Sequence, residues 1–375
     1  MNQSSKPNAL DGGPVAHLSV FVHLAADKDV TAWRKAWRSG ALVGVNDETP
    51  YGYGRAEHMG CRVSYSRTAA ESLLGKLLRL GLRVVTGFDL LHAFRQRQAL
   101  RAADVIWTHT ESQFLAVAAV LAFSPHRPRI LGQSVWLFDR WARLNPLHRL
   151  LYRRLIRTVD VLTVHSSDNL AVARALFPEK RVLRVPFGIP AETMIAPVLR
   201  PARPLRILAP GSDRHRDWAC LAEALDGLPD AEALILSGTA PRRLSQGRPN
   251  LRIAGARSNG ELSGHLAQAS VVCVPLKPNR HASGITVIQE AVLAGVPVVA
   301  TDTGGLKDYF GSDAVRYVPP GDPAALRAAL AEIAADPEAA CLRAVRAQAH
   351  LRETDLGAES FIRRHVEISH EMLDR

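Results

Sequence analysis

Cysteine is scarce in this chain. The four of them, Cys61, Cys220, Cys273 and Cys341, lie far apart, and no Cys-x-x-Cys pair occurs. Neither a structural zinc site nor a disulfide framework is expected, which fits a reducing cytoplasm. No uncharged apolar run reaches the roughly 18 residues that a membrane-spanning helix needs. There is no His-Glu-x-x-His helix and no Walker loop, so neither a metal centre nor a P-loop is expected. Internal repeats and low-complexity segments are missing too. Residues 1–13, MNQSSKPNALDGG, have no signal-peptide apolar core and are expected to form a frayed tail.

What is present is enough for two ordinary domains. Of 375 residues, 47% are hydrophobic and 22% charged, so full cores can form and disorder is excluded. The net charge of +11 is unevenly placed. Residues 1–190 hold 26 Lys and Arg against 14 Asp and Glu; residues 191–375 hold 21 against 22. A field of that sign attracts anionic lipid surfaces, pyrophosphate-linked lipids or nucleic acid. The plain alternative is a solvated basic surface.

Short apolar runs alternate with helical patterns along the whole chain. Strands are expected at 17–23, 61–66, 103–109, 129–136, 160–167, 181–186, 205–208, 234–238, 250–255, 271–276, 298–300 and 314–318. In residues 72–85, SLLGKLLRLGLRVV, Leu73, Leu74, Leu77, Leu78, Leu80, Val84 and Val85 share one side, and Lys76, Arg79 and Arg83 the other. Such a helix either lies in a membrane interface or packs on the core. Ligands of a doubly wound sheet gather at the carboxyl ends of strands, which makes His109, Glu111, Gln133 and Ser134 cleft candidates. Residues 49–54, TPYGYG, read as a turn or a mobile loop. Ser167 or Asp168 is expected to cap the helix over 169–177, and Asp217 the helix that runs to 225.

Residues 271–305 form the organising stretch: strand, polar loop, helix from about Ser283, Gly-Val-Pro turn, second strand and a Gly-Gly loop. That is a parallel crossover. Ala282, Ser283 and Gly284 stand at the helix start, where exposed N–H groups and the dipole favour an anion. Residues 290–300, EAVLAGVPVVA, resemble the nucleotide-sugar half of retaining GT-B glycosyltransferases of the family 4 type. That family places one Glu eight residues before the other. Glu290 matches the second, but Ala282 stands at the first.

The resemblance implies an α/β fold of two Rossmann-like domains facing across a cleft. The expected division is an acceptor-binding domain at 1–192, a Pro-rich linker at 193–204 and a nucleotide-sugar domain at 205–375, with the last helix returning to the first domain. The implied reaction moves a hexose from a nucleoside diphosphate sugar, UDP- or GDP-linked, to a lipid-linked or polysaccharide acceptor with retention. It needs no metal and no other cofactor. Where the family has an Arg and a Lys after a Gly to grip the diphosphate, this sequence has Gly211, Arg214 and Arg216. Ile285 and Thr286 would add N–H groups, and Glu290 would hold the ribose. With Glu absent at 282, Asn279, His281 and Ser283 are the groups left to hold the sugar. The family often has a His where Gln133 stands; His109 on the neighbouring strand could supply an imidazole. An anionic membrane surface is an expected partner, and nucleic acid is not. A non-catalytic GT-B protein that binds sugar nucleotide or scaffolds polysaccharide assembly is the other reading.

Overall fold

Alternating β-branched runs and amphipathic helices build two six-stranded parallel sheets. The computed structural model describes residues 17–124, 127–200 and 203–375, so the stretch expected as a tail lies outside the described residues. The first half runs β1 (Leu18–His23), α1 (Val30–Arg38), a 3-10 segment (Pro50–Met59), β2 (Cys61–Tyr65), α2 (Leu73–Thr86), α3 (Leu90–Arg95), α4 (Arg97–Arg101) and β3 (Val105–Thr108). It continues with α5 (Glu111–Leu121), β4 (Arg129–Ser134), α6 (Leu137–Arg140), α7 (Pro146–Arg157), β5 (Val161–Val164), α8 (Ser167–Leu176) and β6 (Val182–Arg184). The second half runs β7 (Leu205–Pro210), α9 (Trp218–Leu225), β8 (Ala231–Leu236), β9 (Leu251–Ala254), α10 (Asn259–Gln268) and β10 (Val271–Val274). It closes with α11 (Ile285–Leu293), β11 (Val298–Thr301), β12 (Arg316–Val318), α12 (Pro323–Ala335), α13 (Pro337–Glu353) and α14 (Ala358–Leu373).

The first sheet is ordered β2-β1-β3-β4-β5-β6 and the second β12-β11-β10-β7-β8-β9. Helices cover both faces, so β3, β5, β10 and β11 are buried along their whole length and are continuous apolar runs. Each sheet has a switch point, between β1 and β3 and between β7 and β10. There the chain leaves neighbouring strands in opposite directions and opens a crevice at their carboxyl ends. These two Rossmann-like halves are the GT-B architecture that the resemblance implies.

Helix α14 lies over the first sheet. Its Phe361, Ile362, Val366 and Met372 share an apolar cluster with Val20, Val22 and Trp107. The Trp107 indole N–H donates to Ser369 Oγ at 2.8 Å. Local details differ from the sequence reading. Helix α8 is capped by Ser166, whose Oγ accepts from the Asn169 N–H, and not by Ser167 or Asp168. Helix α1 carries Val30, Trp33, Ala36 and Trp37 on one side but buries none of them; Asp29 starts it by accepting from the Thr31 and Ala32 N–H groups. Residues 50–54 open the 3-10 segment, kinked at Tyr51 and Gly52, which is the turn and not the mobile loop of the two readings. Helix α2 buries none of its residues: Leu73, Leu74 and Val84 are 74%, 79% and 81% exposed. Packing on the core, one of the two readings for this helix, is therefore excluded.

Candidate active site

The exits of β7 and β10 flank the switch point of the second sheet, and residues 211–216 and 277–284 meet there. Arg216 makes an antiparallel bridge to Leu276, which turns its side chain inward. It is only 5% exposed, and its Nε and Nη1 have no hydrogen-bond partner. Burial draws its pKa down to about 10, while Asp213 and Glu290 favour the charge. Two glycines make room for it. A Cβ on Gly211 (φ +131°) would run into the guanidinium, and one on Gly284 (φ +85°) would lie 2.8 Å from Nη1. Buried donors without acceptors are costly, and an anion would satisfy them.

His281 links the two halves. Its Nδ1 lies 2.7 Å from Asp139 Oδ2 in the first half, and its Nε2 lies 3.7 Å from Asp213 Oδ2 in the second. Burial opposes the imidazolium, but the two carboxylates outweigh it and raise the pKa above the ordinary value. Asp213 in turn accepts from Ser283 Oγ at 2.6 Å and contacts His215 Nδ1 at 3.1 Å. Although burial works against it, the His281, Ser283 and His215 contacts hold the Asp213 carboxyl far below the usual carboxylate range. Asp213, His215 and His281 have ligand atoms within 4.8 Å of one another, so they are also the set that could hold a metal ion. Asp213 and the two Nδ1 atoms are engaged in the network just described, while His281 Nε2 has no hydrogen-bond partner. The Asp27-Lys28-Asp29 carboxylates, spaced as metal-binding pairs can be, do other work: Asp29 caps α1.

Asn279 and Ala282 shape the loop. Asn279 Oδ1 accepts from the His281 and Ser283 N–H groups at 3.3 and 3.2 Å. Ala282, at φ +54°, is 2% exposed and packs in the apolar cluster under α11. The position where the resembled family has Glu therefore faces the core, and the polar side of the loop belongs to His281 and Ser283. At the helix start, the Ile285 N–H donates to Ala282 O at 3.1 Å, and Thr286 is exposed.

Glu290 sits one helix face further on, and Arg216 acts on it electrostatically. Burial pushes its pKa up to about 7, against the opposing pull of the Val45 N–H and Arg216. Its Oε1 accepts from the Val45 N–H of the first half at 2.9 Å. The same loop is held at Gly40 O by the Asn259 N–H, and Val45 packs against the apolar cluster of the second half.

His109 and Gln133 meet at the other switch point. Gln133 Nε2 lies 3.0 Å from His109 O and 3.2 Å from its Nδ1. The Tyr51 ring stacks on the imidazole at 3.4 Å between centroids, and Tyr53 Oη lies 3.1 Å from Nδ1. Burial, reinforced by His165 and His365, holds the His109 pKa well below its ordinary value, so it is neutral. Tyr51 has φ +57°, a strained backbone for an aromatic residue.

The structure thus gathers Gly211, Arg216, Gly284 and Glu290 at one place and His281, Ser283 and Asn279 beside them. Arg214 is separate from Arg216. It lines a cavity of about 650 Å³ together with Asp139, Arg140, Arg143, Lys277 and Arg280. His109 and Gln133 form their own buried cluster. Sequence reasoning missed Asp139, Asp213 and Val45. Asp213 lay inside the Gly211–Trp218 window, but nothing local marks the other two.

Comparison with known proteins agrees with this geometry. Residues 208–336 match the family model described as glycosyl transferases group 1. A GDP-mannose-dependent alpha-mannosyltransferase of Mycobacterium tuberculosis (strain CDC 1551 / Oshkosh) is 28% identical over 305 residues, with 72% of each chain covered. Sucrose-phosphate synthase from Thermosynechococcus elongatus superposes with a TM-score of 0.73 at 17% identity, over 95% of this chain and 99% of that one. Anabaena HepE in complex with UDP and glucose superposes with a TM-score of 0.65 at 15% identity, over 95% and 100%.

Proposed function

We propose that this chain, a GT-B glycosyltransferase that uses a nucleotide sugar, moves a hexose to an anionic, lipid-linked or polysaccharide acceptor with retention of configuration. One observation carries the reading: the buried Arg216 guanidinium, with two unpartnered nitrogens, lies between two glycines and electrostatically opposite Glu290. A departing nucleoside diphosphate gains negative charge, and a fixed, desolvated cation stabilises it more than water would. Glu290 is placed to accept from ribose hydroxyls on its free oxygen. His281, whose imidazolium the two carboxylates favour, offers a second positive group for the leaving phosphate or the sugar. In a same-face transfer the bond from the sugar C1 to the phosphate oxygen breaks as the acceptor oxygen bonds to C1. The acceptor's proton passes to that phosphate oxygen. No protein nucleophile and no metal ion is required in that scheme.

The UDP and GDP donors in the names of the relatives support the donor class, and they leave both bases as candidates for this chain. The exposed apolar face of α2, on the strongly basic half, supports docking on an anionic bilayer from the cytoplasmic side. Incubating the purified protein with a panel of nucleoside diphosphate sugars, and measuring release of the diphosphate, tests the reading. The non-catalytic alternative draws on Ala282, which faces the core. Tight binding of one sugar nucleotide with no release for any would decide for it.

A further inference from the structure

The 650 Å³ cavity next to His281 has a wall chemistry that the donor site does not explain. Five cations converge on it from three separate segments. Arg140 and Arg143 come from α6 and the turn that follows. Arg214 comes from the exit of β7, and Lys277 and Arg280 from the loop after β10. Among the described residues, none of these five side chains makes a hydrogen bond or an ion pair. Two acids also line the cavity, but Asp139 is committed. One of its oxygens accepts from the Arg280 backbone N–H at 2.8 Å, and the other holds His281. Asp168 interacts electrostatically with Arg280, although burial and Asp308 raise its pKa above the ordinary value. Like charges that crowd one concave surface without hydrogen-bonded counterions repel each other, and an anion removes that repulsion.

Arg216, which the donor diphosphate would engage, does not line this cavity. His215 and Asn279 do, and both also belong to the network around His281. In a same-face transfer the acceptor hydroxyl must approach beside the leaving phosphate. An anionic handle on the acceptor would therefore lie next to the donor site, with part of its contacts from the first half. Resting on the donor reading above, we infer that this cavity is the acceptor subsite and that it holds a phosphate ester carried by the acceptor, with Arg140 and Arg143 as its first-half ligands. Guanidinium groups suit that role because their paired N–H donors match phosphate oxygens.

The test is calorimetric titration of the full chain, at fixed ionic strength, after saturation with whichever of UDP and GDP raises its melting temperature more. The probes are inorganic pyrophosphate, glucose 6-phosphate and farnesyl diphosphate. At least one should bind the saturated protein, and the double variant Arg140→Ala/Arg143→Ala should bind it at least tenfold more weakly. The variant's affinity for the nucleoside diphosphate should stay within twofold. Preference for glucose 6-phosphate would indicate a soluble phosphorylated acceptor, and preference for farnesyl diphosphate a lipid-linked one. The inference is overturned if no probe binds the saturated protein, or if the double variant binds as tightly as the original chain. If neither nucleoside diphosphate binds, the donor reading fails, and the same titrations on the unliganded chain and the double variant still decide the cavity.

Discussion

The Val45 N–H donates to Glu290 Oε1 at 2.9 Å, joining residues that lie 245 positions apart and in different halves of the molecule. The carboxyl group proposed for the ribose therefore also anchors a loop of the first half. That loop also packs Val45 against the apolar cluster of the second half. Contact between the halves and the proposed binding of the nucleoside converge on one side chain.

Protonation of Glu290 should then control donor binding. Burial lifts its pKa to about 7, so below that pH it is largely neutral and above it largely a carboxylate. Ribose hydroxyls donate better to the carboxylate, so nucleoside diphosphate affinity should rise several-fold between about pH 6 and pH 8. Folding responds in the opposite sense. A carboxyl whose folded pKa is raised contributes stability that is full below the unfolded value of 4.5 and is lost as pH rises through about 7. Glu290→Gln should flatten both profiles. A pH series of calorimetric titrations on the two proteins checks it, and equal slopes would remove Glu290 from the donor site.

Arg216 should be the costliest single deletion for diphosphate binding. Arg216→Ala removes a charge-assisted hydrogen bond, so affinity should fall by about 1.5–3 kcal/mol. Gly284→Ala attacks the same group from outside, because its Cβ would press on Nη1 and on Val274. It also forces a side chain into a left-handed backbone, at about 1–3 kcal/mol. A lower melting temperature together with weaker binding is expected. An Arg216→Ala protein that binds the diphosphate as before would exclude the proposed role.

Much of this was legible in the sequence, for definite physical reasons. Strands such as Val271–Val274 and Val298–Thr301 are buried on both faces, so they stand out as short continuous apolar runs. Glu290 and Arg216 fell inside windows that the family resemblance marks. Arg214 and Arg216 looked equivalent because the turn between them, closed by the Arg216 N–H donating to Asp213 O at 3.1 Å, shows only in three dimensions. One faces the open cavity, and the other lies beneath Gly211 and Gly284. The Asp139–His281 pair could not be read at all. It spans 142 residues, and neither side has a local pattern that names the other. Helix α1 is short and buries none of its residues, so the Val30, Trp33 and Trp37 spacing gives no core-facing signal.

The Asp139–His281 pair gives the third prediction. Asp139 favours the imidazolium, so Asp139→Asn should lower the His281 pKa. If His281 acts as a cation in transfer, activity falls as pH rises through its pKa, and that alkaline limb should move to lower pH in the variant. Because the folded pKa is raised, the pair's stability is fully present below the ordinary histidine value and fades as pH rises above it. A pH–rate profile of sugar-nucleotide turnover in both proteins is the measurement. An unmoved alkaline limb would show that His281 only braces the two halves.

Helix α2 provides a test that is independent of chemistry. Its leucines and valines are solvent-exposed, and two of its basic residues differ in their engagement. Arg79 is held by Glu71 and Asp89, whereas Lys76 has no such partner among the described residues. An apolar face gives up water when it enters the headgroup boundary, at about 25 cal/mol per Å² of buried area. Replacing Leu74, Leu77 and Val84 with serine should therefore abolish co-sedimentation with vesicles that contain anionic lipid. It should leave the melting temperature nearly unchanged, because none of the three contributes to a core. Binding by the original chain should weaken with salt, since the basic first half supplies the long-range attraction. Vesicle binding that is insensitive to both salt and the triple substitution would place the membrane contact elsewhere on the molecule.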